Sequence, residues 1–389
     1  MTGWIRAIRK GWVVDRDLPG PDVDEFADPH QVQQALAADA AAARTLLAVQ
    51  HPHRTPLATA ENLALTDALS YAKKTLRHLR RTYYRKHRDF IALYRVRGHD
   101  GVASGLLCIV DPAAFGTDGN TYVRHTEEVY QDVVAERAEM LTRLRCATSA
   151  AMLVPATGGE YLTEVVERAM AMLGDPAVAT KDPAERLHEI WLVPSGPLQD
   201  ELLAVAAANP LLVADGNHRV AAARCSGLGA MLALVTGGPD LTIGPIHRQI
   251  HGQRDYAEAW RNLGLTVEPA DPEEEPQPGI VIAHTHDGVF RVHLPEVAPG
   301  EPQPRVDHAD VEGLLIGRAL GLDPAGSHVR PLPGPLFNGT LPPEAGAVLL
   351  IAPVPLADML AVHNQGRQMT RKATYFTPKP RSGLLLAKL

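Results

Sequence analysis

The chain has 389 residues, of which 45% are hydrophobic and 21% are charged. This composition is typical of a folded protein rather than a disordered one, and the length predicts two or three domains. A net charge of -7 argues against a nucleic-acid binder, and the three cysteines are too far apart to predict a disulfide framework. Because there is no apolar signal segment or membrane-length run, we expect a cytoplasmic protein that makes no membrane contact.

The N-terminal region predicts a short strand-like piece, two long helices and a pair of strands. The helices are expected over roughly residues 29–49 and 59–86, and the strands from Phe90 to Arg97 and from Val102 to Val110. The second helix ends in a basic stretch, residues 73–88. This stretch suits either a nucleic-acid surface or a solvated helix end. The solvated helix end is favoured, because no recognised nucleic-acid module contains the stretch.

Residues 121–265 predict alternating strands and helices. Thr126-Glu127-Glu128 is expected to open a long helix that continues to Arg145. An acidic, proline-rich segment at residues 266–279 predicts a linker. Beyond it the pattern predicts a hairpin around Asp287-Gly288, then helices over roughly 308–321 and 356–365 on either side of a strand at 347–352.

The most informative stretch runs from Leu211 to Arg224. An apolar strand-length segment ends at Asp215, Gly216 breaks the backbone, and an alanine-rich helix follows. Such a junction directs backbone N–H groups and a helix dipole at one spot, which suits a phosphate. The side chains at the helix start are further donors, and Asp215 is placed to hold Mg²⁺ or to accept a proton. The alternative is an ordinary strand-to-helix turn with solvated polar residues.

The C-terminal segment concentrates cations, hydroxyls and aromatic rings. Lys372, Thr374, Tyr375 and Lys379 are the candidates for a phosphate or substrate pocket. A closing strand with solvated lysines is an equally open interpretation.

Three motifs, in order, resemble the domain-of-unknown-function-1015 family. Its Ala-Asp-Gly-His-His-Arg-Tyr run is matched by residues 214–220, with Asn217 and Val220 as the departures. Its Pro-Thr-His-Arg is matched by residues 245–248, and its ending Met-Pro-Pro-Lys-Ser-Thr-Tyr-Phe-x-Pro-Lys by residues 369–379. The likeness covers nearly the whole chain.

The resemblance implies a relation to the ParB/sulfiredoxin superfamily and to free serine kinases, which phosphorylate unincorporated L-serine. The residues that it implies for nucleotide or phosphate binding are Gly216, Asn217, His218, Arg219, His247 and Arg248. The implied catalytic residues are Glu127 as the base, Asp215 and His218, with Glu128 as an alternative base. The family's His and Lys around this glutamate are replaced by Thr126 and Val134, which indicates an altered substrate or a loss of catalysis.

The expected function is therefore a small-molecule kinase. It would transfer a phosphoryl group from ATP or ADP, with Mg²⁺ at Asp215, to the hydroxyl of free serine or a similar hydroxy acid. The alternatives are a non-catalytic nucleotide-binding regulator of ParB type and a nucleotide hydrolase; nucleic acid is not an expected partner.

The expected fold class is α+β, with a ParB/sulfiredoxin-like central domain built on a small mixed sheet. The expected domains are residues 1–110, an α/β region, residues 111–265, the nucleotide-binding domain, and residues 280–389, a second α/β region.

Overall fold

A computed structural model describes residues 3–21, 29–38, 41–116, 119–238, 241–296, 300 and 303–389. Its strands are β1 (Ile5–Arg6), β2 (Gly11–Val14), β3 (Tyr84–His87), β4 (Phe90–Gly98), β5 (Gly101–Val110), β6 (Val123–Arg124), β7 (Cys146–Ala147), β8 (Ala151–Pro155), β9 (Val178–Lys181), β10 (Leu187–Pro194), β11 (Leu211–Asp215), β12 (Met231–Gly237), β13 (Thr242–Gly244), β14 (Ile246–His251), β15 (Val267–Pro269), β16 (Ile280–Thr285), β17 (Gly288–His293), β18 (Val329–Pro333), β19 (Ala345–Leu350), β20 (Tyr375–Thr377) and β21 (Leu385–Lys388).

The helices of the described residues are α1 (Pro29–Ala37), α2 (Leu46–Gln50), α3 (Pro56–Ala60), α4 (Leu65–Thr82), α5 (Gln131–Leu144), α6 (Gly159–Leu173), α7 (Pro197–Ala206), α8 (Asn217–Cys225), α9 (Tyr256–Asn262), α10 (Asp307–Asp310) and α11 (Leu356–Asn364). A π-helical stretch, Val311–Arg318, continues α10. In the described part of the chain, no helix is both long and apolar enough to cross a membrane.

The chain divides into two compact units. The first comprises residues 1–125, 129–242 and 377–389, and the second comprises residues 126–128 and 243–376. These divisions differ from the boundaries expected from the sequence. The segment 266–279, predicted to be a linker, contributes β15, which pairs with β17. β15 is an edge strand that ends at Pro269, a position where proline is tolerated, and the acidic, proline-rich residues 271–278 follow it outside the strand.

The first unit contains a nine-stranded sheet in the order β6-β11-β8-β12-β5-β4-β10-β9, with β1 paired to β5. The sheet is mixed, as expected, because β11 lies parallel to β6 and β12 lies parallel to β8. It is larger than the small sheet that was expected. Alternate residues of its strands, such as Leu106 and Cys108 of β5, pack in one buried cluster with side chains from α6, α7 and α8. A second sheet in this unit, β3-β2-β21-β7, fixes the C-terminal strand.

The second unit is built on a six-stranded sheet in the order β15-β17-β16-β19-β14-β18. Its core joins strand residues such as Ile250 and Leu349 to Trp260 of α9 and Leu315 of the π-helical stretch. The predicted hairpin at Asp287-Gly288 is confirmed as the β16–β17 turn, where Gly288 has a φ of +133°.

Several helix predictions differ from the structure. The expected helix over 29–49 is broken into α1, a 3₁₀ turn (Ala42–Arg44) and α2, and the one over 59–86 is restricted to α4. Its basic end passes into strand β3 instead. The helix predicted from Thr126 was wrong at its start, because α5 begins at Gln131. Glu127 instead forms a parallel bridge with Met369, a long-range pairing that local capping signals do not reveal.

Candidate functional site

The strand-turn-helix predicted from the sequence is present between β11 and α8. The pairing of β11 with β8 shifts register between Val213 and Asp215, and such bulges often redirect a side chain beside a functional site. Gly216 has a φ of +94°, a conformation that suits glycine. A Cβ at this position would lie 2.6 Å from Nε of Arg219, so a side chain here would also require the Arg219 guanidinium to move.

The carboxylate of Asp215 binds two cations. Nη2 of Arg219 donates to Oδ2, and Nζ of Lys379 lies 2.7 Å from Oδ1. The three side chains are only 18–23% exposed. A guanidinium and an ammonium that converge on one anion at the start of a helix are the donors that bind phosphate in many proteins. We call Asp215, Arg219 and Lys379 the ion cluster.

The first two residues of α8 are held by the segment before α5. Nδ1 of His125 lies 3.2 Å from Oδ1 of Asn217, and the backbone N–H of Tyr130 donates to Nε2 of His218 at 3.0 Å. The rings of Tyr130 and His218 stack, with centroids 5.6 Å apart. Burial lowers the pKa of His125, while the bond to Asn217 opposes this shift. Local sequence patterns carry no signal for Tyr130, because its contact with α8 spans 88 residues.

The described side chains around Asp215 do not form the magnesium site predicted from the sequence. Both carboxylate oxygens of Asp215 already have cationic partners. Among the described residues, no group of three or more His, Cys, Asp or Glu side chains is arranged to hold a metal ion. This arrangement fits an ion cluster rather than a protein-built Mg²⁺ site, which would need free carboxylate or carbonyl oxygens. The magnesium ligand therefore stays a prediction.

Glu127, the predicted base, lies in the second unit and binds a turn of the C-terminal segment, residues 372–374. Its Oε1 accepts the backbone N–H groups of Ala373 and Thr374 and the hydroxyl of Thr374, at 2.8–3.1 Å. Its Oε2 accepts the N–H of Lys372 at 3.0 Å. Glu127 is 7% exposed. Since a carboxylate offers about four acceptor sites, these bonds occupy most of its capacity. The alternative base, Glu128, is ion-paired with Arg371 at 3.1 Å and is far more exposed.

Arg248 binds the same turn of the C-terminal segment, through the carbonyl groups of that turn. Its guanidinium donates to the carbonyl oxygens of Arg371 and Lys372 at 3.0 and 3.1 Å. It also binds Glu312 through Nε and Nη2, at 2.9 and 2.8 Å. The side chain is 2% exposed. Lys372 has a φ of +53°, so the turn adopts a backbone conformation that needs such fixed partners in a residue other than glycine.

His247, predicted with Arg248 to bind phosphate, is buried in the second unit. Its Nδ1 accepts the N–H of Ile351 at 3.1 Å. Burial of the His247 ring lowers its pKa to about 4, and repulsion from the charges of Arg248 and His284 adds to this shift. The ring is therefore uncharged at neutral pH.

The four tail candidates fall into two groups. Lys379 belongs to the first unit and contacts Asp215, whereas Lys372, Thr374 and Tyr375 belong to the second. Lys372 and Thr374 contact Glu127 through the bonds given above. Glu312, the partner of Arg248, was not identified from the sequence, since acidic residues in helices are usually solvated.

Some solved structures are similar to the chain at low sequence identity. SbnI with a C-terminal truncation, from Staphylococcus aureus, is 11% identical with a TM-score of 0.41, covering 72% of this chain and 87% of that one. A free serine kinase variant in complex with ADP is 12% identical with a TM-score of 0.39, covering 68% and 89%. A conserved hypothetical protein from Pyrococcus furiosus is 11% identical with a TM-score of 0.38, covering 67% and 90%.

No curated protein matches the chain. The family described as "Protein of unknown function (DUF1015)" matches residues 26–292, which is most of the sequence. The family resemblance predicted from the three motifs is thereby confirmed. The chain belongs to the DUF1015 family.

Proposed function

We propose that the ion cluster binds the phosphates of a nucleotide and that the protein is a small-molecule kinase. The observation that carries the proposal is the shared carboxylate of Asp215, which accepts from both Arg219 and Lys379 at the N-terminal end of α8. A phosphate has the same requirement for convergent cationic donors. The carboxylate thus takes the place of the anion that we assign to this site.

Exchange of the carboxylate for phosphate is energetically accessible. The side chains of the two ion pairs keep 18–23% of their surface exposed, so an anion from solvent can reach both cations. A phosphate carries more charge than one carboxylate and offers more acceptor oxygens, so it competes well for Arg219 and Lys379. The N-terminal end of α8 favours it further through the helix dipole.

The exchange gives Asp215 a chemical role. When Arg219 and Lys379 turn to the phosphate, the Asp215 carboxylate becomes available to accept a proton. In the transfer, the acceptor hydroxyl oxygen bonds to the terminal phosphorus while the bond from that phosphorus to the leaving phosphate oxygen breaks. The hydroxyl proton passes to Asp215, and ATP leaves as ADP, or ADP as AMP. Glu127 remains the base that the resemblance predicts, with Glu128 as its alternative.

The acceptor class comes from the motif resemblance, which implies free serine or a similar hydroxy acid. The same resemblance implies a ParB/sulfiredoxin-like nucleotide-binding domain, expected at residues 111–265, and the sequence pattern predicts the cytoplasm as the location. We include these assignments in the proposal, together with ATP or ADP as the donor and Mg²⁺ as its counter-ion. His218 and Asn217 would position the start of α8 in this scheme.

The test is a transfer assay on the full chain with ATP or ADP, Mg²⁺ and a panel of hydroxy amino acids. We expect a phosphorylated acceptor, detected by ³¹P NMR, and its loss in Asp215→Asn. Absence of product from a preparation that binds nucleotide would overturn the transfer step.

A second candidate is a nucleotide-binding regulator of ParB type without catalysis. Backbone and hydroxyl donors occupy most of the acceptor sites of Glu127, the predicted base, and this favours a protein without catalysis. Nucleotide binding without transfer or hydrolysis would support it. Release of phosphate without an acceptor would instead indicate a nucleotide hydrolase.

A further inference from the structure

The second sheet of the first unit, β3-β2-β21-β7, has a row of three cations straight across its strands. The register of β2 with its two neighbours places Lys10 between Arg88 and Lys388. The N–H of Lys388 donates to the carbonyl of Lys10 at 2.9 Å, which continues the β2–β21 ladder. The bridge between Ile8 and Phe90 keeps the β2–β3 register beyond the row. Adjacent strands lie about 4.8 Å apart, so the backbone positions of the three cations span about 10 Å.

A fourth cation, Lys86, lies on the same face of this sheet. It is paired with Trp12 of β2, and residues two apart on a strand share a face, so Lys10 and Trp12 point to the same side. The Trp12 ring separates the row from α4: Nζ of Lys10 lies 5.2 Å from the ring centroid and Cζ of Arg80 lies 3.8 Å from it. We call four residues the cationic face: Lys10, Lys86, Arg88 and Lys388.

The charges of the cationic face are not compensated within the described part of the chain. No carboxylate there forms an ion pair with any of its four members, whereas the neighbouring Arg85, on the opposite face, pairs with Asp15 at 2.9 Å. Partial burial, with repulsion from the other three members and from Arg80, lowers the pKa of Lys10. Like charges directly opposite each other in a sheet oppose folding. Such a local conflict indicates a functional surface, here one for an anionic partner.

The surroundings of the cationic face select among anionic partners. Lys86, Arg88 and Lys388 are exposed, but none of the exposed large apolar side chains of the described residues lies on this face, and Trp12 is only 9% exposed. Protein interfaces and membrane surfaces are bound through exposed aromatic and apolar anchors, and single-stranded nucleic acid through exposed rings on which bases stack. A duplex instead presents its phosphates outward, with about one negative charge per 1.7 Å of axis.

We propose that the cationic face binds the phosphate backbone of double-stranded nucleic acid, independently of its sequence. The net charge of -7 argues against such a partner only as a sum over the whole chain, and this face has the opposite sign. The basic stretch 73–88 supplies only Lys86 and Arg88, and the sheet brings Lys10 and Lys388 to them from the two ends of the chain. The proposal is independent of the kinase function, because no member of the cationic face belongs to the ion cluster.

The test is the salt dependence of binding, measured by fluorescence anisotropy with the full chain and a labelled DNA duplex of about 20 base pairs. Four neutralised phosphates predict a slope of about -3.6 for the logarithm of the association constant against that of the salt concentration. The Kd should therefore rise about 100-fold between about 50 and about 200 mM KCl. Lack of binding at the lower salt concentration would overturn the proposal. So would tighter binding of single-stranded DNA, polyglutamate or phosphatidylserine vesicles than of the duplex.

A double variant tests the residues. Arg88→Gln combined with Lys388→Gln removes both ends of the row, so the slope should fall to about -1.8 and the Kd should rise only about tenfold over the same salt range. The matched control is Arg168→Gln combined with Lys181→Gln, which removes two exposed cations that already have carboxylate partners. The control should keep the slope of the unsubstituted protein, and equal slopes in the two double variants would overturn the assignment. The probe comparison in the unsubstituted protein keeps the test valid if a variant does not fold.

Discussion

Two carboxylates, one in each unit, have opposite surroundings. Asp215 is bound by two long cationic side chains and its own side chain is 19% exposed. Glu127 is bound by three backbone N–H groups and one hydroxyl, and it is 7% exposed. Long cationic side chains can turn to another anion, whereas backbone donors in a turn stay where the fold places them. We therefore assign to Asp215 the exchange of its cationic partners with a phosphate, and to Glu127 the anchoring of the turn at residues 372–374.

The largest effect is expected at Arg248, which belongs to the anchored region. Arg248→Met removes the partner of Glu312 and leaves the carbonyl groups of Arg371 and Lys372 without their donor. Breaking a buried ion pair in this way costs about 3–5 kcal/mol in the free energy of unfolding. Urea denaturation measures the loss. Arg318→Met, at an exposed position, should stay within about 0.5 kcal/mol of the unsubstituted protein.

The ion cluster should respond in ligand binding rather than in stability. Arg219→Met or Lys379→Met removes one charged donor to phosphate, worth about 1.5–3 kcal/mol, so the Kd for ADP should rise about 10- to 100-fold. Isothermal titration calorimetry measures this change. Lys73→Met, on the basic stretch of α4, is the control. A Kd for ADP that is unaffected by either cluster variant would remove the cluster from the binding site.

A titration of stability with pH tests the burial of His247. Its pKa is about 4 in the folded protein against an ordinary 6.5, so the unfolded chain takes up the proton first as the pH falls. Stability from this residue is fully present above pH 6.5 and is lost between pH 6.5 and about 4. The loss at pH 5 should be about 2 kcal/mol.

His247→Asn should abolish this contribution, since an amide oxygen can accept the N–H of Ile351 without titrating. The free energy of unfolding of this variant should therefore fall less from pH 7 to pH 5. His286→Asn, at an exposed position, is the matched control. An identical pH dependence in the unsubstituted protein and His247→Asn would contradict the burial argument.

Glu127→Gln distinguishes an anchor from a base. The amide nitrogen would face a backbone donor, so we expect a loss of about 1–3 kcal/mol in stability. If Glu127 only anchors the turn, phosphoryl transfer by the folded variant should fall less than tenfold, whereas Asp215→Asn should abolish it. A larger loss of transfer in Glu127→Gln than in Asp215→Asn would reverse the two roles.

The sequence predicted features that depend on near neighbours. The β4–β5 pair, the hairpin at Asp287-Gly288 and the strand-turn-helix at Asp215 all follow from local alternation and glycine positions. It did not predict the contacts of Glu127, because residues 126–128 look like a helix start but pair with a segment more than 240 residues later. The pairing of Lys379 with Asp215 spans 164 residues and is equally invisible to local patterns.

The most direct test of the exchange at Asp215 is the affinity of Asp215→Asn for ADP, measured by calorimetry without and with Mg²⁺. The substitution removes the carboxylate that competes for Arg219 and Lys379, so ADP should bind about three- to tenfold more tightly than to the unsubstituted protein, with or without the metal. Weaker binding of ADP by Asp215→Asn, seen only with Mg²⁺, would instead make Asp215 a metal ligand and contradict the exchange.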